Sequence, residues 1–194
     1  MPETAFLAIF TGGASRRMGR PKGRLLVPGS SQTIIEALVA RGRSAGFEPL
    51  LVGEASAYSD LVTEVERVPD DPAGAGPIAG LHAVLQQALR RGGSQVLSVA
   101  CDMPYVGSEL MASLRAHASP APVLAARREA EGPWEPMLAR YAAAQVLPEL
   151  SQAIDEGCRS FQQLFRRFEV EQLAWTRGLE RALHDWDSPQ DLQS

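Results

Sequence analysis

A single lysine closes a glycine-rich loop directly behind the first apolar run of the chain. The segment reads Phe10-Thr11-Gly12-Gly13-Ala14-Ser15-Arg16-Arg17-Met18-Gly19-Arg20-Pro21-Lys22, and of the nineteen lysine and arginine residues only Lys22 is lysine. Glycines let backbone N–H groups converge on an anion, and an ammonium is a compact point charge where a guanidinium is a planar fork. The pattern points to a loop that wraps the phosphates of a nucleotide, with Lys22 reaching back to them. Arg16 and Arg17 read either as further phosphate contacts or as solvated surface arginines. The spacing is neither GxxxxGK[ST] nor GxGxxG, which excludes a Walker A loop and the dinucleotide fingerprint.

A carboxylate follows a second apolar run in Cys101-Asp102-Met103-Pro104. At the end of a buried strand it has a rigid base and an open front. Mg2+ takes one or two protein carboxylates and fills its shell with water and phosphate oxygens. Asp102 is therefore the candidate metal ligand, although a turn Asp accounts for the same residue taken alone. Lys22 and Asp102 are expected on facing walls of a cleft, gripping a metal-bound triphosphate between them. Cys101 reads as a small buried residue rather than a nucleophile.

The segment Pro69-Asp70-Asp71-Pro72-Ala73-Gly74-Ala75-Gly76-Pro77 is dense in glycine and proline, which permits close approach to a planar ring. A carboxylate such as Asp70 accepts two hydrogen bonds from the N1–H and N2 amine of guanine and does not match the edge of adenine. A plain structural loop leading into a helix accounts for the segment equally well. Near the end, Asp185 and Asp187 share a face if extended and read either as contacts to a second substrate or as completing the metal site, with Asp187 the further candidate metal ligand. Ser188, Pro189 and Asp191 fit the first positions of a helix.

These residues need elements to hold them. Strand-like runs at 5–10, 49–52, 64–68, 95–100, 122–126, 137–141 and 169–175 alternate with helical periodicity at 32–45, from Pro77 to 91, from a Ser108 cap to 117, from 142 with a break or restart at Pro148, and after Ser160. Gly46 and Gly92-Gly93 read as helix stops. Trp134 reads as a packed aromatic or a pocket-lining one, and His82 and His117 read as packed or surface residues. Such alternation predicts an α/β fold, a three-layer α/β/α arrangement with a mostly parallel twisted sheet, whose ligands bind beyond the carboxyl ends of the strands. The loop at 11–22, Gly53, Asp70 and Asp102 all fall at those ends.

At 194 residues the chain has the length of one well-buried domain. A net charge of −4 argues against a surface that coats nucleic acid. No apolar run reaches the ~20 residues that a bilayer requires, and Pro2-Glu3 lacks the basic flank of a signal peptide. Two cysteines without CxxC spacing give neither a disulfide framework nor a zinc site, and a reducing cytoplasm is the expected setting.

Taken together, the motifs resemble the molybdenum cofactor guanylyltransferases, the MobA-type branch of the nucleotidyltransferase superfamily. The opening pattern of that family, approximately LAGGxSxRMGxxK, matches residues 10–22. Its GPLAG segment matches Gly76-Pro77-Ile78-Ala79-Gly80, with Asp70 at the spacing of the guanine-region carboxylate. CDxP matches Cys101-Asp102-Met103-Pro104, a Pro-centred segment matches Glu135-Pro136-Met137-Leu138-Ala139, and TPEDL matches Ser188-Pro189-Gln190-Asp191-Leu192.

The resemblance implies a single domain over 1–194 with a Rossmann-like nucleotidyltransferase fold. Its nucleotide-binding half would span about 1–105 and its acceptor half about 106–194. It implies GTP bound by Phe10, Thr11, Gly12, Gly13, Arg16, Lys22, Asp70, Gly76 and Asp102, with Mg2+ on Asp102. Lys22 and Asp102 would carry the catalysis, and GMP would pass to molybdopterin with release of pyrophosphate. Proteins that deliver or accept the molybdenum cofactor are the expected partners. Three positions depart from the pattern: Phe10-Thr11 stand for Leu-Ala, Gly53 for Asn, and Asp185-Trp186-Asp187 for Asn-x-Asn. The last resembles the cytidylyltransferase branch, so CTP stays open beside GTP, as do nucleotidyl transfer to another small phosphate and a non-catalytic carrier that retains the fold.

Overall fold

The computed structural model describes residues 4–12, 21–129 and 131–184. Its centre is a seven-stranded sheet in the order β3-β2-β1-β4-β6-β5-β7. The strands are β1 (Thr4–Phe10), β2 (Phe47–Val52), β3 (Glu66–Val68), β4 (Gly93–Ala100), β5 (Val123–Arg127), β6 (Trp134–Ala142) and β7 (Val170–Gln172). Only β6 runs against its neighbours, and the other pairings are parallel.

The sheet is covered on both faces, and β1 shows why the sequence demands it. Residues 5–10 are all buried, with Ala5, Leu7 and Ile9 in one hydrophobic core and Phe6, Ala8 and Phe10 in the other. Successive side chains of a strand point to opposite faces, so an unbroken apolar run needs cover on both. The first core takes α1 (Ile34–Ser44), α3 (Ser108–Ala116) and α6 (Arg177–Ala182). The second takes α2 (Ile78–Arg90), α4 (Ala143–Asp155) and α5 (Phe161–Phe165). Among the described residues no helix is long and apolar enough to cross a membrane.

Local signals account for most boundaries. Thr33 caps α1 in a full capping box with Glu36, and Gly46 follows the helix at φ +81°. Such reciprocal bonds satisfy N–H groups that a helix start leaves unpaired. Two helix starts differ from expectation. Gly107 occupies the cap position of α3 in an extended conformation, which makes Ser108 the first helical residue and not the cap. Pro77 is itself the cap residue of α2.

Pro148 does not interrupt α4, which runs through it. A proline inside a helix costs ~3 kcal/mol. The burial of Val146, Leu150, Ala153 and Ile154 along one face outweighs that cost. The run at 169–175 contributes only the three residues of β7, and α6 follows from a Thr176 cap. Six residues are too few for helical periodicity to announce α6. The expected terminal helix at Ser188 lies outside the described residues.

Strand β6 starts earlier than its sequence pattern suggests because it contains a bulge. Leu124 pairs with Arg140, yet Ala126 pairs with Glu135, so extra residues of β6 loop out between these pairs. Leu138 sits there at φ +87°, a region that leucine rarely visits. The buried Ser98 hydroxyl donates to Pro136 O at 2.6 Å, and Tyr141 Oη donates to the same carbonyl at 3.1 Å. Those two bonds hold the distorted segment.

Candidate active site

The carboxyl ends of β1 to β4 close around a cavity of about 650 Å³. Phe10, Thr11 and Gly12 line it from β1, Val52 and Gly53 from β2, Asp70 from beyond β3, and Ala100, Cys101 and Asp102 from β4. Gly74, Gly76 and Pro77 line it from the loop into α2. Lys22 and Met137 complete the wall, Met137 being carried in by the bulge of β6.

Backbone bonds continue the sheet past the strand ends and so fix the loops. Gly53 N–H donates to Val68 O at 2.9 Å and Cys101 N–H to Phe10 O at 3.0 Å. Thr11 donates to Val52 O twice, from its N–H at 2.9 Å and from Oγ1 at 2.8 Å. The hydroxyl that distinguishes Thr11 from alanine is thus committed to the backbone. Phe10 packs edge-on against Phe161, 6.2 Å between ring centres. Gly53 has φ +85°, a left-handed conformation that glycine and asparagine tolerate best.

Lys22 Nζ lies 2.8 Å from Asp102 Oδ2, with both side chains 17 % exposed. They touch, where the sequence reading set them apart across a cleft. A partly desolvated ammonium and carboxylate attract, and pairing lowers the cost of holding either against the cavity wall. The turn that carries Lys22 is anchored by its neighbour: Arg24 Nε donates to Ala57 O at 2.6 Å, and its guanidinium pairs with Asp60. The loop that carries Asp102 is clamped from α1, where Arg41 donates to Pro104 O at 2.7 Å and Val106 O at 3.0 Å.

Asp70 is exposed as a residue, yet the walls around its carboxyl displace enough water to raise its pKa above the usual carboxylate range. Its seat is cut from glycine. A Cβ at Gly80 would lie 2.9 Å from Asp70 Oδ1, 2.7 Å from Val52 Cγ1 and 3.0 Å from Phe10 Cε1. His82, read as an ordinary packed residue, ties this loop to α4 through Nδ1 at 2.9 Å from Asp71 O and Nε2 at 3.0 Å from Ser151 Oγ. Gly13, Arg16, Arg17, Asp185 and Asp187 lie outside the described residues.

The fold recurs in known proteins. Residues 7–173 match the family described as MobA-like NTP transferase domain. The chain belongs to that family. It is 32% identical over 188 residues to a probable molybdenum cofactor guanylyltransferase of Opitutus terrae, covering 95% of this chain and 91% of that one. The crystal structure of molybdopterin-guanine dinucleotide biosynthesis protein A from Archaeoglobus fulgidus superposes with a TM-score of 0.75 at 25% identity, covering 96% and 94% of the two chains. A 4-diphosphocytidyl-2C-methyl-D-erythritol synthase of Anaerococcus prevotii shares the fold at TM-score 0.70 and 11% identity.

Within the MobA-like frame the donor set suits a hard cation. Among the described residues no group of three or more His, Cys, Asp or Glu is placed to hold a metal by protein ligands alone. Mg2+ does not need one, because one or two carboxylates suffice when substrate phosphates complete the shell. Asp102, an oxygen donor on the cavity wall, fits that requirement. Sequence reasoning passed over Arg41 and Tyr58, and it singled out Met137 only within a motif and not as part of the cavity wall. Arg41 reaches carbonyls 63 and 65 positions away, a relation that no local pattern encodes.

Proposed function

We propose that the chain transfers GMP from GTP to the terminal phosphate of molybdopterin in the cytoplasm, giving the guanine dinucleotide form and pyrophosphate. An oxygen of the acceptor phosphate forms the new bond to the α-phosphorus. The bond from that phosphorus to the α–β bridging oxygen breaks, and its electron pair leaves with pyrophosphate. The nucleophile is already anionic, so no general base is needed. What remains is positioning and charge neutralisation.

The Lys22–Asp102 pair inside the cavity is the observation that supports this reading most directly. It sets one positive and one negative group where a nucleoside triphosphate would bring phosphate oxygens. Lys22 stabilises charge moving onto pyrophosphate, and Gly12 on the cavity wall offers a backbone N–H as a further donor. Mg2+, when bound, would be held by Asp102 with phosphate oxygens and water, and would neutralise charge on the triphosphate. At the far end of the cavity, Asp70 accepts from the guanine edge, with Gly76 in the same wall giving the base room to approach.

The deciding experiment measures pyrophosphate release with molybdopterin and each of GTP, CTP, ATP and UTP. Turnover with GTP alone is expected. Preferential turnover with CTP would move the chain to the cytidylyl reaction, and GTP binding without pyrophosphate release would leave a carrier.

A further inference from the structure

Directly behind the Lys22–Asp102 pair, three chain segments meet at one phenol. Tyr58 belongs to a short 3-10 turn (Ser56–Tyr58) after β2 and is 2 % exposed. Its hydroxyl accepts a hydrogen bond from Gly23 N–H at 3.3 Å and lies 3.7 Å from Cys101 Sγ. Gly23 follows Lys22, and Cys101 precedes Asp102. The phenol therefore joins the immediate neighbours of both charged residues.

The fit is close on every side. A Cβ at position 23 would stand 2.9 Å from Tyr58 Cε1, so glycine is what lets the ring lie against the backbone of the lysine turn. The same turn is fastened to the 56–60 segment a second time through Arg24, which reaches Ala57 O and Asp60. Cys101 N–H is in turn bonded to Phe10 O, which makes the β4 end of this junction part of the sheet. The turn that carries Lys22 is thus linked to the β4 end through Tyr58 as well as through the ion pair itself.

Burial pushes the Tyr58 phenol up and the Cys101 thiol up to about 11. The junction is a hydrogen-bonded link beside the charged pair.

We propose that the Tyr58 hydroxyl is a positioning group that sets Lys22 in register with Asp102. The proposal rests on the reading of these two residues as the charged pair of the transfer site. Phosphoryl-group transfer is sensitive to small displacements of such groups. Removing the hydroxyl also leaves the buried Gly23 N–H without that acceptor.

Tyr58→Phe keeps the ring and deletes only the hydroxyl. The expected result is a fall in kcat of about tenfold, with KM for GTP changed less than about threefold. In a Lys22→Ala background the same substitution should cost less than about twofold, because the group being positioned is gone. Arg91→Ala, which removes ion pairs to Glu48 and Glu66 at the amino ends of β2 and β3, opposite the cavity, controls for general loosening and should leave kcat unchanged. Equal losses from Tyr58→Phe in both backgrounds, or an unaltered kcat, would overturn the proposal.

A second measurement does not depend on turnover. Because Lys22 is the only lysine, uniform lysine labelling gives one side-chain ammonium resonance. Asp102→Asn moves that resonance by breaking the ion pair, and Tyr58→Phe should move it in the same direction. An unmoved signal in Tyr58→Phe rejects the positioning role even if the wild-type protein shows no guanylyl transfer. A moved signal with no wild-type pyrophosphate release instead rejects the proposed reaction and leaves the positioning role intact.

Discussion

Asp102 receives the ammonium of Lys22 at 2.8 Å, although 80 positions of chain separate the two residues. A parallel sheet places the ends of β1 and β4 side by side, and Lys22 meets Asp102 just beyond the end of β4.

The pair should matter far more to turnover than to stability. Lys22→Ala and Asp102→Ala are each expected to lower kcat at least ~100-fold, as does loss of a single charge-stabilising donor elsewhere. Unfolding should shift by about 1 kcal/mol or less, because a partly exposed ion pair contributes little to folding. Lys22→Arg should recover only part of the rate, since a planar fork replaces a point charge. Steady-state pyrophosphate release beside thermal melts checks all three, and near-wild-type turnover in either alanine variant removes that residue from the mechanism.

Gly80→Ala tests the seat of Asp70. A methyl group gains up to about 1 kcal/mol of helix propensity, but it meets Val52, Asp70 Oδ1 and Phe10 at 3.0 Å or less. Overpacking of this kind costs ~1–3 kcal/mol, so the clash wins. The variant should melt lower and show a raised KM for GTP, because the atom with freedom to yield is the Asp70 carboxylate. A lower melting temperature with an unchanged KM would separate Asp70 from nucleotide binding.

Asp70 also predicts a pH dependence. Its folded pKa is raised by burial, so the native state binds its proton more tightly than the unfolded chain does. The ionised group therefore costs stability at neutral pH, and that cost fades as pH falls through the raised value. Guanine needs the ionised form, so affinity for GTP should decline on acidification from a pH above the ordinary carboxylate range. Asp70→Asn should raise KM for GTP about tenfold or more and abolish that titration, as calorimetry across pH 4–8 can establish.

The start of α1 offers a test of folding alone. Thr33→Ala removes the capping box and is expected to cost about 1 kcal/mol. Glu36 has its pKa lowered by its bonds to Thr33, so its contribution is present above the unfolded carboxylate pKa and is lost as pH falls through the folded one. The difference between wild type and Thr33→Ala should shrink in acid. A difference that persists unchanged at low pH would show that the box adds nothing to the cap.

The sequence alone disclosed the class of fold and the residues at its strand ends. Burial on both faces imposes unbroken apolar runs such as 5–10, and glycine marks places where backbone must turn or come close, so both leave local traces. Lys22 and Asp102 were legible for the same reason, as residue types placed just beyond such runs. Tertiary structure decided how those residues meet. The direct ion pair, the clamp from Arg41, the phenol of Tyr58 behind the charges and the bulge that brings Met137 into the cavity all join distant segments. A contact of this kind depends on how elements pack, and packing energy is set by shape across the whole core rather than by the order of residues along the chain.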